Sequence, residues 1–125
     1  SEMGAEDDDK FIKYPDLGLG GTHHYVSRSK GLKGISGLKK VKGITVNKVH
    51  GNTSSILRLK ELYSVEVESM EGAAFLMAAE ENKCRSIQLR TVSNYVEKRD
   101  TSKWNMSLAI KNLNVWLSEI ISLNS

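Results

Sequence analysis

Between Val67 and Phe75 the chain reads VESMEGAAF, which sets Glu71 between an extended, β-branched stretch and a run of Ala, Phe, Leu and Met. A carboxylate so placed costs free energy to desolvate unless something bonds it. Two chemistries fit. Ionised Glu presents two acceptor oxygens and no donor, so a vicinal diol with two O–H donors, such as that of a ribose, would meet it with charge-assisted hydrogen bonds. Alternatively Glu71 favours its own helix N-terminus through the helix dipole. Gly72, Ala73 and Ala74 lack bulk and let a ligand or a neighbouring strand come close, and Met70 offers a flexible apolar contact beside a sugar.

A second group closes the segment SIQLRTVSN. Asn94 carries an acceptor and two donors on one amide and can read a base edge that pairs an acceptor nitrogen with a carbonyl, as in a 6-oxopurine. An Asn after a strand is also ordinary turn chemistry. The remaining candidates read more plainly. His23 and His24 are adjacent and so diverge, while His50 and Cys84 lie far off in sequence, which argues against a metal site. Cys84 reads as a buried, inert thiol. GLGG, Gly18–Gly21, lacks the Lys-Ser/Thr ending of a phosphate loop and reads as a flexible turn. Arg90 falls inside an expected strand, where Glu71, Glu68 or a helix end could pair with it. Glu97, Arg99 and Asp100 read as surface or capping residues.

Positioning these groups falls to a regular alternation. Residues 1–42 read as irregular, with turn chemistry in YPDLGLGG and a glycine every few residues in SKGLKGISGLKKVKG. GITVNKV, Gly43–Val49, is a short β-branched strand. Asn52 or Thr53 then caps a helix running to about Tyr63. SVEVES, Ser64–Ser69, is a second strand, followed by a helix from Glu71 to about Asn82 that is apolar nearly all round and so expected to be buried on several sides. SIQLRTVS, Ser86–Ser93, is a third strand. DTSKW opens the last helix, with Asp100 or Thr101 as cap. There Trp104, Leu108, Leu113, Trp116, Leu117, Ile120 and Ile121 recur at helical spacing, as a core-facing stripe does. Strand, helix, strand, helix, strand, helix argues for an α/β fold with a parallel sheet and right-handed crossovers. Ligands in such sheets bind at the carboxyl ends of the strands, where the VHG turn, the SMEG junction and SNYVE all fall. About forty residues of loop before three strands is an unusual proportion for a compact domain.

The bulk numbers narrow the class. The 125 residues suit one domain with a modest core, and 39% hydrophobic with 26% charged residues is ordinary for a globular chain. A single cysteine cannot form an internal disulfide, which suits a reducing, cytoplasmic setting. There is no apolar run of spanning length and no signal-peptide pattern at the start. The net charge of +3 is uneven: between Asp16 and Glu61 the charged residues are all basic. Such a stretch can mark a nucleic-acid surface, but it lacks interleaved aromatics, and lysines also protect loops and sheet edges. Nucleic-acid and membrane partners are therefore not expected.

VESMEGAAF, followed by LRTVSNYVEKRD and a Trp-containing helix, resembles the nucleoside phosphorylase and hydrolase superfamily, and within it the futalosine hydrolases. The opening SEMGAEDDDKF is similar to the segment after a central strand in that family. The resemblance runs over nearly the whole chain and implies a partial nucleoside-phosphorylase-like fold, a central mixed sheet flanked by helices. Residues 1–125 would form the C-terminal portion of one domain, the N-terminal half being absent. By the same resemblance Met70 and Glu71 lie along the ribose, Glu71 taking its hydroxyls. Asn94 meets the purine where adenine-specific members carry Asp, which favours hypoxanthine as the leaving base. Ser93 orients Asn94, and Val49 and His50 line the base pocket. The implied reaction is hydrolysis of a 6-oxopurine nucleoside in menaquinone biosynthesis, by a homo-oligomer acting on a small-molecule nucleoside with no metal or organic cofactor. The alternatives are a phosphate-dependent phosphorylase, a methylthioadenosine or adenosylhomocysteine type of nucleosidase, and a non-catalytic α/β binding or assembly module.

Overall fold

The computed structural model describes residues 2–7, 10–18, 21–22, 24–98 and 100–125. Asp8 and Asp9 of the acidic run, Leu19 and Gly20 of the GLGG turn, His23 and Arg99 lie outside the described residues. Four strands form one mixed sheet in the order β2-β1-β3-β4. They are β1 (Glu2–Asp7), β2 (Lys10–Lys13), β3 (Gly43–Thr45) and β4 (Val67–Ser69). β1 runs antiparallel to β2 and parallel to β3, and β3 runs parallel to β4. The α/β class and the mixed sheet flanked by helices are thus as expected, but the composition of the sheet is not. Residues 1–42, read as irregular, supply two of the four strands. EMGAED hides its pattern because Gly, Ala and acidic residues are poor strand formers by propensity, and register beside Ile44 and Thr45 overrides that.

The period of two along β3 sets the layers. Ile44 and Val46 point to one face, where they pack with Leu59 of α1 (Thr53–Tyr63). Thr45 points to the other and accepts a hydrogen bond from the Ala73 amide at 2.7 Å, which seats the start of α2 (Gly72–Glu81). Met3, the register partner of Thr45, joins Tyr25, Ala73 and Leu76 on that face. α1 and α2 therefore sandwich the sheet. Asn52 caps α1 by accepting from the Ser54 amide at 2.9 Å, one of the two caps expected there. Phe11 meets Tyr63 edge-on with centroids 5.4 Å apart, which closes the α1 side.

Three expectations need correction. Among the described residues Ser86–Ser93 joins no ladder. Its hydrogen bonds go elsewhere: Ser86 O accepts from the Arg28 amide, the Gln88 amide group bonds Gly72 O, Thr91 Oγ1 donates to Ala109 O, and Ser93 O accepts from the Asn105 amide. Side chains, which strand patterning ignores, thus tie this segment to α2 and to α3 (Met106–Asn124). Asp100 caps only a short 3-10 turn, Thr101–Lys103, whereas α3 is capped by Asn105, which accepts from the Leu108 amide at 3.1 Å. Finally, the stripe on α3 is only partly core. Ile120 is buried and Leu113 and Trp116 are half-buried, while Trp104, Leu108, Leu117 and Ile121 are exposed. The helix leans on the 33–37 loop, where Asn124 bonds both backbone groups of Lys33, and the described residues place no second layer opposite the rest of it. α2 likewise buries Gly72, Ala73 and Leu76 but leaves Phe75 half exposed.

Candidate functional site

Because β3 and β4 are parallel, the turns after them leave the sheet at the same edge, the carboxyl edge where such folds bind ligands. The VHG turn follows β3 and the SMEG junction follows β4. What each does there differs.

His50 is locked in place. Glu68, paired in register with Ile44, points to the α1 face. Its Oε1 accepts from the His50 backbone amide at 3.0 Å, and its Oε2 lies 2.6 Å from His50 Nδ1. Both side chains are more than nine-tenths buried, at 8% and 9% exposed. His50 forms part of one wall of a cavity of about 320 Å³ between β2 and α1, which Val49 also lines.

Glu71 is placed differently. It is the residue before α2 and makes no capping hydrogen bond to that helix. Among the described residues its carboxylate has no hydrogen-bond partner. The cap role falls to Ser69, whose Oγ accepts from the Gly72 amide at 3.3 Å. Glu71 borders a shallow hollow with Phe75, Gln88 and Arg90. Arg90 does not pair with Glu71 or Glu68. Its guanidinium donates to Gln88 Oε1 at 3.1 and 2.9 Å. Gly72 is required here, since a Cβ would sit 2.6 Å from Ser69 Oγ and 3.1 Å from the Arg90 guanidinium. Met70 is half exposed.

Ser93 Oγ donates to Asn94 Oδ1 at 2.7 Å, and Asn94 Nδ2 donates to Tyr95 O at 3.0 Å. One amide hydrogen and part of the Oδ1 acceptor capacity remain for a ligand. The structure thus brings Val49 with His50, Met70 with Glu71, and Ser93 with Asn94. The cavity and the hollow share no lining residue, and Asn94 lines neither.

Sequence reasoning missed Glu68, read only as a possible partner for Arg90. The alternation along VES could have found it, because Glu68 falls on the buried side of the strand. Cys84, expected to be buried, is exposed, because the helix ends before it in a turn with Lys83 at φ 56°. Among the described residues no three His, Cys, Asp or Glu side chains come together as metal ligands. No helix is long and apolar enough to cross a membrane.

No family model and no solved structure matches the chain. Two curated proteins do. A futalosine hydrolase from Acidothermus cellulolyticus is 33% identical over 90% of this chain and 50% of its own length. One from Thermus thermophilus is 30% identical over 90% of this chain and 53% of its own. The chain is similar to futalosine hydrolases. It spans about half the length of these relatives.

Proposed function

We propose that this chain is part of a purine nucleosidase that hydrolyses the N-glycosidic bond of a futalosine-like 6-oxopurine nucleoside, releasing hypoxanthine for a route to menaquinone. The observation that carries this reading is the similarity to two futalosine hydrolases across nine-tenths of the chain. The unpartnered carboxylate of Glu71 at the carboxyl end of β4 supports the residue roles. Glu71 holds the ribose hydroxyls, with Met70 against the sugar, and its charge favours the oxocarbenium-like sugar as the bond breaks. Asn94, oriented by Ser93, hydrogen-bonds the departing base, and those bonds strengthen as negative charge reaches it. Water attacks the anomeric carbon, helped by a general base.

The test is chromatographic base release by the purified protein from futalosine, inosine and methylthioadenosine, each with and without phosphate. Hypoxanthine from futalosine without phosphate is expected. Release that requires phosphate replaces the hydrolase with a phosphorylase. Adenine from methylthioadenosine overturns the role of Asn94. No base from any substrate, from a chain shown to be folded by circular dichroism, overturns the assignment of hydrolysis to this chain.

A further inference from the structure

The cavity between β2 and α1, which Val49 and His50 line, also holds cations that the nucleosidase reading does not use. Lys10 enters it from β2, Lys48 from the turn after β3 and Arg58 from α1. Three cations from three separate elements face one hollow, and among the described residues Asp16 is the one carboxylate that lines it. Glu68 lies behind and is already bonded to His50. Among the described residues neither Lys10 nor Arg58 has an ion-pair or hydrogen-bond partner. The first turn of α1 adds Asn52 and Ser55 to the same wall. The other walls are apolar: Phe11, Leu59 and Leu62. Phe11 is held edge-on by Tyr63, and Leu59 is buried in the α1 core. At about 320 Å³ the space lies at the lower end of the range for small-molecule sites.

We propose that this cavity binds a small organic anion, a flat apolar body ending in one carboxylate or phosphate. The body lies against Phe11, Leu59 and Leu62, and the anionic end meets Arg58 and Lys10. Arg58 is the principal anchor, since a guanidinium matches either oxyanion in a two-bond fork. The locked His50 fixes the shape of the wall and sets how deep the body reaches. This inference rests on the cavity's own cations and not on the roles of Glu71 and Asn94, which do not line it, although Val49 and His50, expected at the base pocket, do.

Isothermal titration calorimetry of the purified 125-residue chain tests it with phenyl phosphate, benzoate, benzyl alcohol and inorganic phosphate. Saturable binding of phenyl phosphate or benzoate is expected, and the tighter of the two identifies the oxyanion. Arg58→Gln weakens it about tenfold, the effect of one charge-assisted hydrogen bond, and Lys10→Gln weakens it less. Both side chains are exposed, so both variants fold as the parent does, which circular dichroism checks. Glu71→Gln leaves the affinity unchanged, which separates this site from the nucleosidase site. Binding of benzyl alcohol as tight as that of the anions overturns the charge argument, and binding of inorganic phosphate as tight as phenyl phosphate overturns the apolar one. No saturable binding, or no change in Arg58→Gln, overturns the proposal.

Discussion

The end of β4 and the start of α2 each carry a glutamate, three residues apart, and the protein treats them in opposite ways. Glu68 is buried and spends both oxygens on His50. Glu71 is exposed and neither caps its own helix nor pairs with the nearby Arg90. Strand alternation causes the difference. Glu68 points to the α1 face, beneath the VHG turn, and only a satisfied carboxylate can stay there. Glu71 lies past the end of the ladder, where Ser69 has already taken the capping role. A side chain that the fold does not need is one that a ligand can use, so the two residues separate a structural carboxylate from an available one.

The sharpest way to break this contrast is to neutralise each in turn. In the active nucleosidase, Glu71→Gln is expected to lower turnover by roughly 10²–10³-fold, as for loss of one preorganised electrostatic group. Its urea midpoint should stay within about 0.5 kcal/mol of the parent, as for an unpaired surface residue. Glu68→Ala should do the reverse to stability. It orphans two donors of His50 in a buried setting and should cost roughly 2–4 kcal/mol in urea unfolding at unchanged slope. If Glu71→Gln destabilises as much as Glu68→Ala, both carboxylates are structural and the ribose role falls.

The same contrast explains what the sequence made legible. Wherever one element's own residues decide the outcome, the reading held: the span of α1 with its Asn52 cap, α2 to within a residue at each end, and the carboxyl-edge placement of VHG and SMEG. It failed where a distant partner decides. EMGAED becomes a strand because β3 offers it a register. SIQLRTVS has strand composition but bonds through Gln88 and Thr91 side chains to α2 and α3. The α3 stripe has core periodicity, yet periodicity states which residues share a face and not what lies opposite. For the site, residue types were legible and their grouping was not. His50 and Glu71 lie on one sheet edge but border different hollows, because the strands they follow send their neighbours to opposite faces.

Gly72 sharpens the available side of the comparison. Its missing side chain lets Ser69, Gln88 and Arg90 converge at the start of α2. Gly72→Ala should gain helix propensity, but the Cβ must push Ser69 Oγ and the Arg90 guanidinium aside. A net cost of about 1–2 kcal/mol is expected, as for modest overpacking. The Gln88 bond to Gly72 O should weaken with it. Loosening of residues 88–90, read by hydrogen exchange, would tie Glu71's surroundings to this contact. A neutral or stabilising substitution would show that the close approach is not needed.

The smallest expected effect tests whether an exposed carboxylate can also be structural. Glu66 enters β4 from outside, and its carboxylate bonds the Lys39 ammonium and, at 3.4 Å, the Lys42 amide. The Lys39 hydrogen bond is the main cause that holds its pKa below the ordinary 4.5, with the Lys42 amide and the Lys39 charge helping. A carboxyl group lowered in the folded state contributes stability above its unfolded value. That contribution is lost as pH falls from 4.5 through the lower folded value. Lys39→Met should therefore lower the urea midpoint slightly at pH 7 and make its fall below pH 4.5 shallower, so that the parent and variant profiles converge in acid. Because the pair is exposed, the difference should shrink further in high salt. Asp100 supplies the internal control. Its carboxyl is also lowered, first by the Ser102 hydroxyl and then by the Ser102 amide, so its share of the acid dependence should survive in Lys39→Met. Identical acid profiles for parent and variant would mean that the Lys39 contact contributes nothing to folding. Exposed Glu66 would then stand with Glu71, and burial alone would mark the carboxylates that the fold needs.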